Sequence, residues 1–66
     1  MNLYSVRIMF RGQADRDIEV LATNLSIARK TAIIQARAFG IVLGSYAPRL
    51  VAGDAVPVEV EVRDDV

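Results

Sequence analysis

Between Leu3 and Phe10 the chain alternates. Tyr4, Val6, Ile8 and Phe10 fall on one side, and Ser5, Arg7, Met9 and Arg11 on the other. A period of two predicts a strand with one buried face. The next stretch, RGQADR at 11–16, carries Gly12 and Asp15, which predicts a hairpin loop longer than two residues. Residues 17–22 alternate again, with Ile18, Val20 and Ala22 together. The two strands should pair antiparallel, closing Arg11 beside Asp17.

At residue 23 the period changes. Asn24 is a natural N-cap, with Thr23 and Ser26 as competitors, because a short side-chain oxygen can accept an orphan amide. Gly40 suits the C-terminal end, since it tolerates a left-handed backbone. Between them lie Ala28, Ala32, Ala36 and Ala38, the strongest of helix formers. At 100° per residue, Leu25, Ala28, Ala32, Ala36 and Phe39 cluster on one side, with Ile27, Thr31, Ile34 and Ala38 beside them. Ile33 lies outside both groups, among Arg29, Lys30 and Arg37.

Residues 40–51 return to β-type composition. Within them, 41–51 admits one bent strand, two short strands or a loop, with Pro48 at an edge, bulge or turn. A turn follows at 52–55. Then VPVEVEV at 56–62 directs Val56, Val58, Val60 and Val62 inward and Pro57, Glu59 and Glu61 outward. The predicted order is ββαββ, with one helix on one face of a mostly antiparallel sheet. That is a two-layer α+β sandwich.

The apolar part of this helix spans roughly 200°, against about 100° for a helix that rests on a single sheet. The alanine side would sit close to the sheet, and the Ile27/Ile34 flank would project sideways. Two readings compete for that flank: the segment after the helix folds over it, or a second molecule covers it. Exposed contiguous apolar patches mark interaction sites.

Length sharpens the choice. The chain has 66 residues, one domain spanning 1–66, and a domain this small buries only about 60% of its unfolded surface. Small chains add disulfides, metals or association. Cysteine and histidine are both absent, which removes disulfides and the best zinc ligands. Association is what remains, and no cofactor is expected.

Eight basic residues balance eight acidic ones, which counts against a general polyanion binder. The charges are segregated, however: bases dominate positions 7 to 49 and acids 54 to 65. Such a dipole could align subunits or dock a charged partner. The absence of cysteine fits a reducing cytoplasm, and no apolar run approaches the roughly 20 residues of a membrane helix.

Catalytic chemistry is poorly supplied. Ser5, Ser26 and Ser45 have no histidine to activate them. Glu59 and Glu61 form a spaced carboxylate pair with no third ligand, and outward charge also guards a strand edge. No phosphate-binding loop is present, and no small-molecule substrate is implied. The chain is expected not to be an enzyme.

Residues 18–32, IEVLATNLSIARKTA, carry the pattern Val20-x-Ala22-x-Asn24-x-x-x-Ala28-x-x-x-Ala32. This resembles the second strand, helix cap and alanine ridge of short ββα-type proteins of phages and mobile elements. Some anti-CRISPR proteins are similar in size and architecture. The resemblance implies a small, non-catalytic protein that acts by contact, although the chain lacks the net acidity of DNA-mimicking inhibitors.

The sequence therefore predicts a cytoplasmic, non-enzymatic module that binds protein as a homodimer or higher oligomer, or binds another protein. Ile27, Ile33, Ile34, Leu43 and Leu50 are the expected interface. The alternative is a nucleic-acid-binding module using Arg29, Lys30 and Arg37, supported by Arg7 and Arg11.

Overall fold

The computed structural model describes residues 1–53. The strand expected at 56–62, with its Glu59/Glu61 pair, lies outside the described residues. Within them the order is β1 (Asn2–Phe10), β2 (Gln13–Ala22), α1 (Leu25–Ala36), β3 (Val42–Ser45) and β4 (Arg49–Ala52). The fold is α+β, with the helix on one face of an antiparallel sheet. No helix among the described residues is long and apolar enough to cross a membrane.

The central strand is β1. It pairs with β2 along one edge, and with β3 and then β4 along the other. β3 pairs with Ile8–Phe10 and β4 with Leu3–Ser5. The stretch after the helix thus resolves into two short strands. Pro48 stands between them, where a missing N–H costs no ladder bond.

Two features of the hairpin depart from expectation. The loop is a two-residue turn, Arg11–Gly12, with Gly12 at φ 74°. That left-handed conformation costs glycine no Cβ clash, so β2 starts at Gln13 rather than Asp17. A register shift between Ile8 and Phe10 follows, and Arg7, not Arg11, faces Asp17.

The core is as the alternation implies. Tyr4, Val6, Ile8 and Phe10 from β1, and Ile18, Val20 and Ala22 from β2, are buried against Ala28, Ala32 and Ala36 of the helix. The three alanines have no exposed surface. With no side chain beyond Cβ, they let the helix backbone sit close to the sheet. The helix lies over β2 and β1 and reaches β3, but not β4.

The helix ends differ from each other in how well they match expectation. Asn24 is the N-cap, and its Oδ1 accepts a hydrogen bond from the Ile27 amide at 2.9 Å. At the other end the helix stops at Ala36 with Arg37 as its cap. Residues 37–39 tighten instead of continuing, through bonds from the Ala38 amide to the Gln35 carbonyl and from the Phe39 amide to the Ala36 carbonyl. Gln13 donates to the Phe39 carbonyl at 3.1 Å, and a Cβ on Gly40 would run into that same Gln13 amide. That amide is the far end of a flexible side chain and could move aside; what favours glycine at 40, one residue beyond the turn, is its φ of 158°, which side-chain-bearing residues rarely adopt.

Both ends of the expected core stripe are lost: Phe39 lies beyond the end of the helix, and Leu25, its first residue, does not reach the core. Leu25 and Phe39 are exposed. The Phe39 ring instead lies under the Arg16 guanidinium, 4.3 Å from its centroid. Ile33 is also placed differently. It is half-buried and packs against the core together with Val42, so it is part of the fold's β3 side and not a stray surface residue.

Candidate functional site

The buried ridge of the helix is centred on Ala32. From there, 100° per residue puts Ile34 about 160° away and Ile27 about 140° away. Both isoleucines therefore point away from the sheet, not sideways along it. Ile27 is 45% exposed and Ile34 64%. Neither is needed to attach the helix, because the alanines already fill that contact.

The remaining expected interface residues lie elsewhere. Ile33 sits on the β3 side of the helix. It joins two open hollows along that flank, one lined by Leu25, Arg29, Ala47 and Pro48, the other by Arg37, Ile41, Val42 and Leu43. Leu43 is exposed, at the position the β1–β3 register skips. Leu50 pairs with Tyr4 and is exposed because the helix does not reach β4. The five residues thus divide into an outward helix ridge (Ile27, Ile34), a groove margin (Ile33, Leu43) and a separate position on β4 (Leu50).

The basic residues divide more sharply. Arg29, Lys30 and Arg37 are on the helix side of the sheet. Arg29 is engaged there, its Nε donating to Ser45 Oγ at 2.8 Å. Arg7 lies on the opposite, uncovered face of the sheet, and Arg11 is in the hairpin turn. One stretch of nucleic acid lying flat on one side cannot meet both sets.

Arg7 is also neutralised locally. Its Nε donates to Asp17 Oδ1 at 2.8 Å and its Nη2 to Asp17 Oδ2 at 3.2 Å, a bidentate pair across β1 and β2. The hydrogen bond from Arg7 holds the Asp17 carboxyl below the usual aspartate range and raises the guanidinium above its own. Both partners are well exposed, so the pair contributes little to stability. Its pH dependence has a definite sign. A depressed folded pKa gives a contribution that is complete above the unfolded value of about 3.9 and is lost as pH falls through the folded value. A carbon-detected NMR titration is expected to place Asp17 below the ordinary aspartate value, and Arg7→Gln to move it back up. An unshifted Asp17 would contradict the pair.

Sequence reasoning missed a further group on this face. Where the chain crosses from β3 to β4, an open hollow of about 390 Å³ is lined by Ser5, Arg7, Tyr46, Ala47 and Arg49. The alternation of β1 does put Ser5 and Arg7 together, but only the β4 register, Ser5 opposite Arg49, brings in the second arginine. Among the described residues there is no group of three acidic, histidine or cysteine side chains able to hold a metal ion.

No family model matches the chain, and it matches no curated protein and no solved structure.

Proposed function

We propose that this chain is a non-enzymatic module that binds protein, and that its first partner is a second copy of itself. The observation that carries the reading is Ile34, 64% exposed on the outward side of the helix, with Ile27 one further turn pair away on the same ridge. Burying one such side chain is worth on the order of 1.5–3 kcal/mol. Two copies meeting ridge to ridge would bury four isoleucines.

Association itself costs about 4–15 kcal/mol in lost freedom, comparable to what those four side chains return. The contact must therefore extend past them, toward the roughly 800 Å² per partner of a stable interface. Lys30 lies between the isoleucines along the helix axis, about 40° to one side of Ile34 on the wheel, and its aliphatic stem can cover apolar surface while its amine stays in water. The resemblance of residues 18–32 supports the same class of protein, a contact-acting accessory protein or inhibitor of a phage or mobile element working in a cytoplasm.

The test is the solution mass of the full chain and of Ile34→Asp, by sedimentation equilibrium over a wide concentration range. The wild type is expected above monomer mass, and the variant at monomer mass with an unchanged far-UV circular dichroism spectrum. A wild type that is monomeric at the highest concentration, or a variant that still associates, removes the reading.

A further inference from the structure

The hollow on the uncovered sheet face has no role in the helix-ridge contact, and its chemistry is specific. Ser5 is only 8% exposed although it lies on the face without a helix. Its hydroxyl has no hydrogen-bond partner among the described residues, and it lines the hollow. A buried polar group needs a partner, and this hydroxyl is placed to donate to a group seated in the hollow. Arg49 stands opposite Ser5 in the register and makes no ion pair among the described residues. Arg7 has committed two nitrogens to Asp17. Tyr46 is fixed beside it, its amide donating to the Arg7 carbonyl at 2.9 Å.

Every side chain with a polar group in this lining can donate: two guanidiniums, a hydroxyl and a phenol. No acceptor-only group is among them. Such a set calls for an oxyanion. The charge balance narrows the class. Asp17 pairs with Arg7 and also acts on Arg49, Asp15 acts on Arg7, and Glu19 stands opposite Ser5 on the same face, so the site keeps no surplus positive charge. These carboxylates repel a phosphate dianion more than a monoanion. The free fork of Arg49 fits the two oxygens of a carboxylate in a planar, bidentate manner.

We infer that the hollow lined by Ser5, Arg7, Tyr46 and Arg49 is a carboxylate-binding site. Arg49 is the principal ligand, Ser5 donates a further hydrogen bond, and Arg7 is held in place by Asp17. The carboxylate comes either from a small free acid or from an aspartate or glutamate side chain of a bound protein. The chemistry at the hollow is the same in both cases. Because the arginines are open to solvent, binding to an isolated carboxylate is weak and screened by salt.

The full ¹⁵N-labelled chain is titrated at constant ionic strength with acetate, with a short neutral peptide containing one glutamate, and with inorganic phosphate. Acetate and the peptide are expected to shift the amides of Ser5, Arg7, Tyr46 and Arg49 in a saturable way. Arg49→Gln, at an exposed position of a short strand, is expected to keep the rest of the spectrum and lower the affinity about tenfold or more. Ser5→Ala should weaken it by a smaller factor. Tighter binding of the peptide than of acetate identifies a protein side chain as the source, and equal binding identifies a free acid. Shifts that do not saturate, that survive Arg49→Gln, or that favour phosphate over both carboxylates overturn the assignment. Arg49 and Ile34 lie on opposite sides of the sheet, so this result and the association result are read separately.

Discussion

Ile8→Ala is expected to leave most of the chain unfolded in dilute buffer. Ile8 has no exposed surface and, with Val6, is the largest side chain so enclosed. It sits in the central strand with Arg16 opposite on one edge and Ser45 on the other, so nothing around it can collapse inward without moving two neighbouring strands. Truncation of a buried isoleucine costs about 2–5 kcal/mol. A chain of this length holds about 3–10 kcal/mol in total. The loss is therefore of the same size as the whole. Ile8→Val removes one carbon and should cost only about 0.5–1.5 kcal/mol, which keeps the effect measurable in a folded protein. Leu21→Ala, on the uncovered face and nearly half exposed, should cost less than Ile8→Ala. Urea melts monitored by circular dichroism at one fixed protein concentration check this order, since association makes the midpoint concentration-dependent. An Ile8→Ala midpoint equal to that of the wild type would mean the sheet is not organised about this residue.

The central strand and its inward set were legible because alternation is a local property: Tyr4, Val6, Ile8 and Phe10 needed only their own spacing. The Asn24 cap was legible for a similar reason, since its partner is three residues away. The first half of β2 was not. Residues 13–17 are all exposed, and an edge strand in water has no reason to alternate. Its start was set by Gly12, whose positive φ permits a two-residue turn, and its register by a bulge that composition does not announce.

At the helix C-terminus, the positive φ of Gly40 was legible but the end of the helix was not, because the chain leaves the helix after Ala36 and tightens through residues 37–39 before reaching Gly40. The carboxylate hollow is the limiting case. Ser5 and Arg49 meet only through the pairing of the first and fourth strands, and no local pattern encodes that meeting. The outward isoleucines were visible from the wheel. Leu25 and Phe39 fall within about 20° of Ala32 on either side, so the ridge is centred on Ala32 with or without them, and it is the burial of the three alanines that puts Ile34 on the side opposite the sheet.

That placement of the ridge gives the second large effect. Ala32→Leu should destabilise the fold strongly, although leucine is nearly as good a helix former as alanine and is more hydrophobic. On propensity and transfer energy alone the substitution would be neutral or favourable. Packing reverses the sign. Ala32 has no exposed surface and lies in the middle of a three-alanine contact on a sheet of bulky side chains. Three added carbons have no free volume to enter, so the helix must lift or its neighbours must leave their rotamers, at a cost of about 1–3 kcal/mol and occasionally more. Lifting also separates Ala28 and Ala36 from the sheet, so the effect should lie at or above the upper end of that range. Gln35→Leu, on an exposed position of the same helix, is the control and should change stability by no more than about 0.5 kcal/mol. Denaturant midpoints for the two variants, with unchanged m-values for both, separate packing from propensity. If Ala32→Leu proves as harmless as Gln35→Leu, the helix does not rest on its alanines, and the outward direction assigned to Ile27 and Ile34 loses its basis as well.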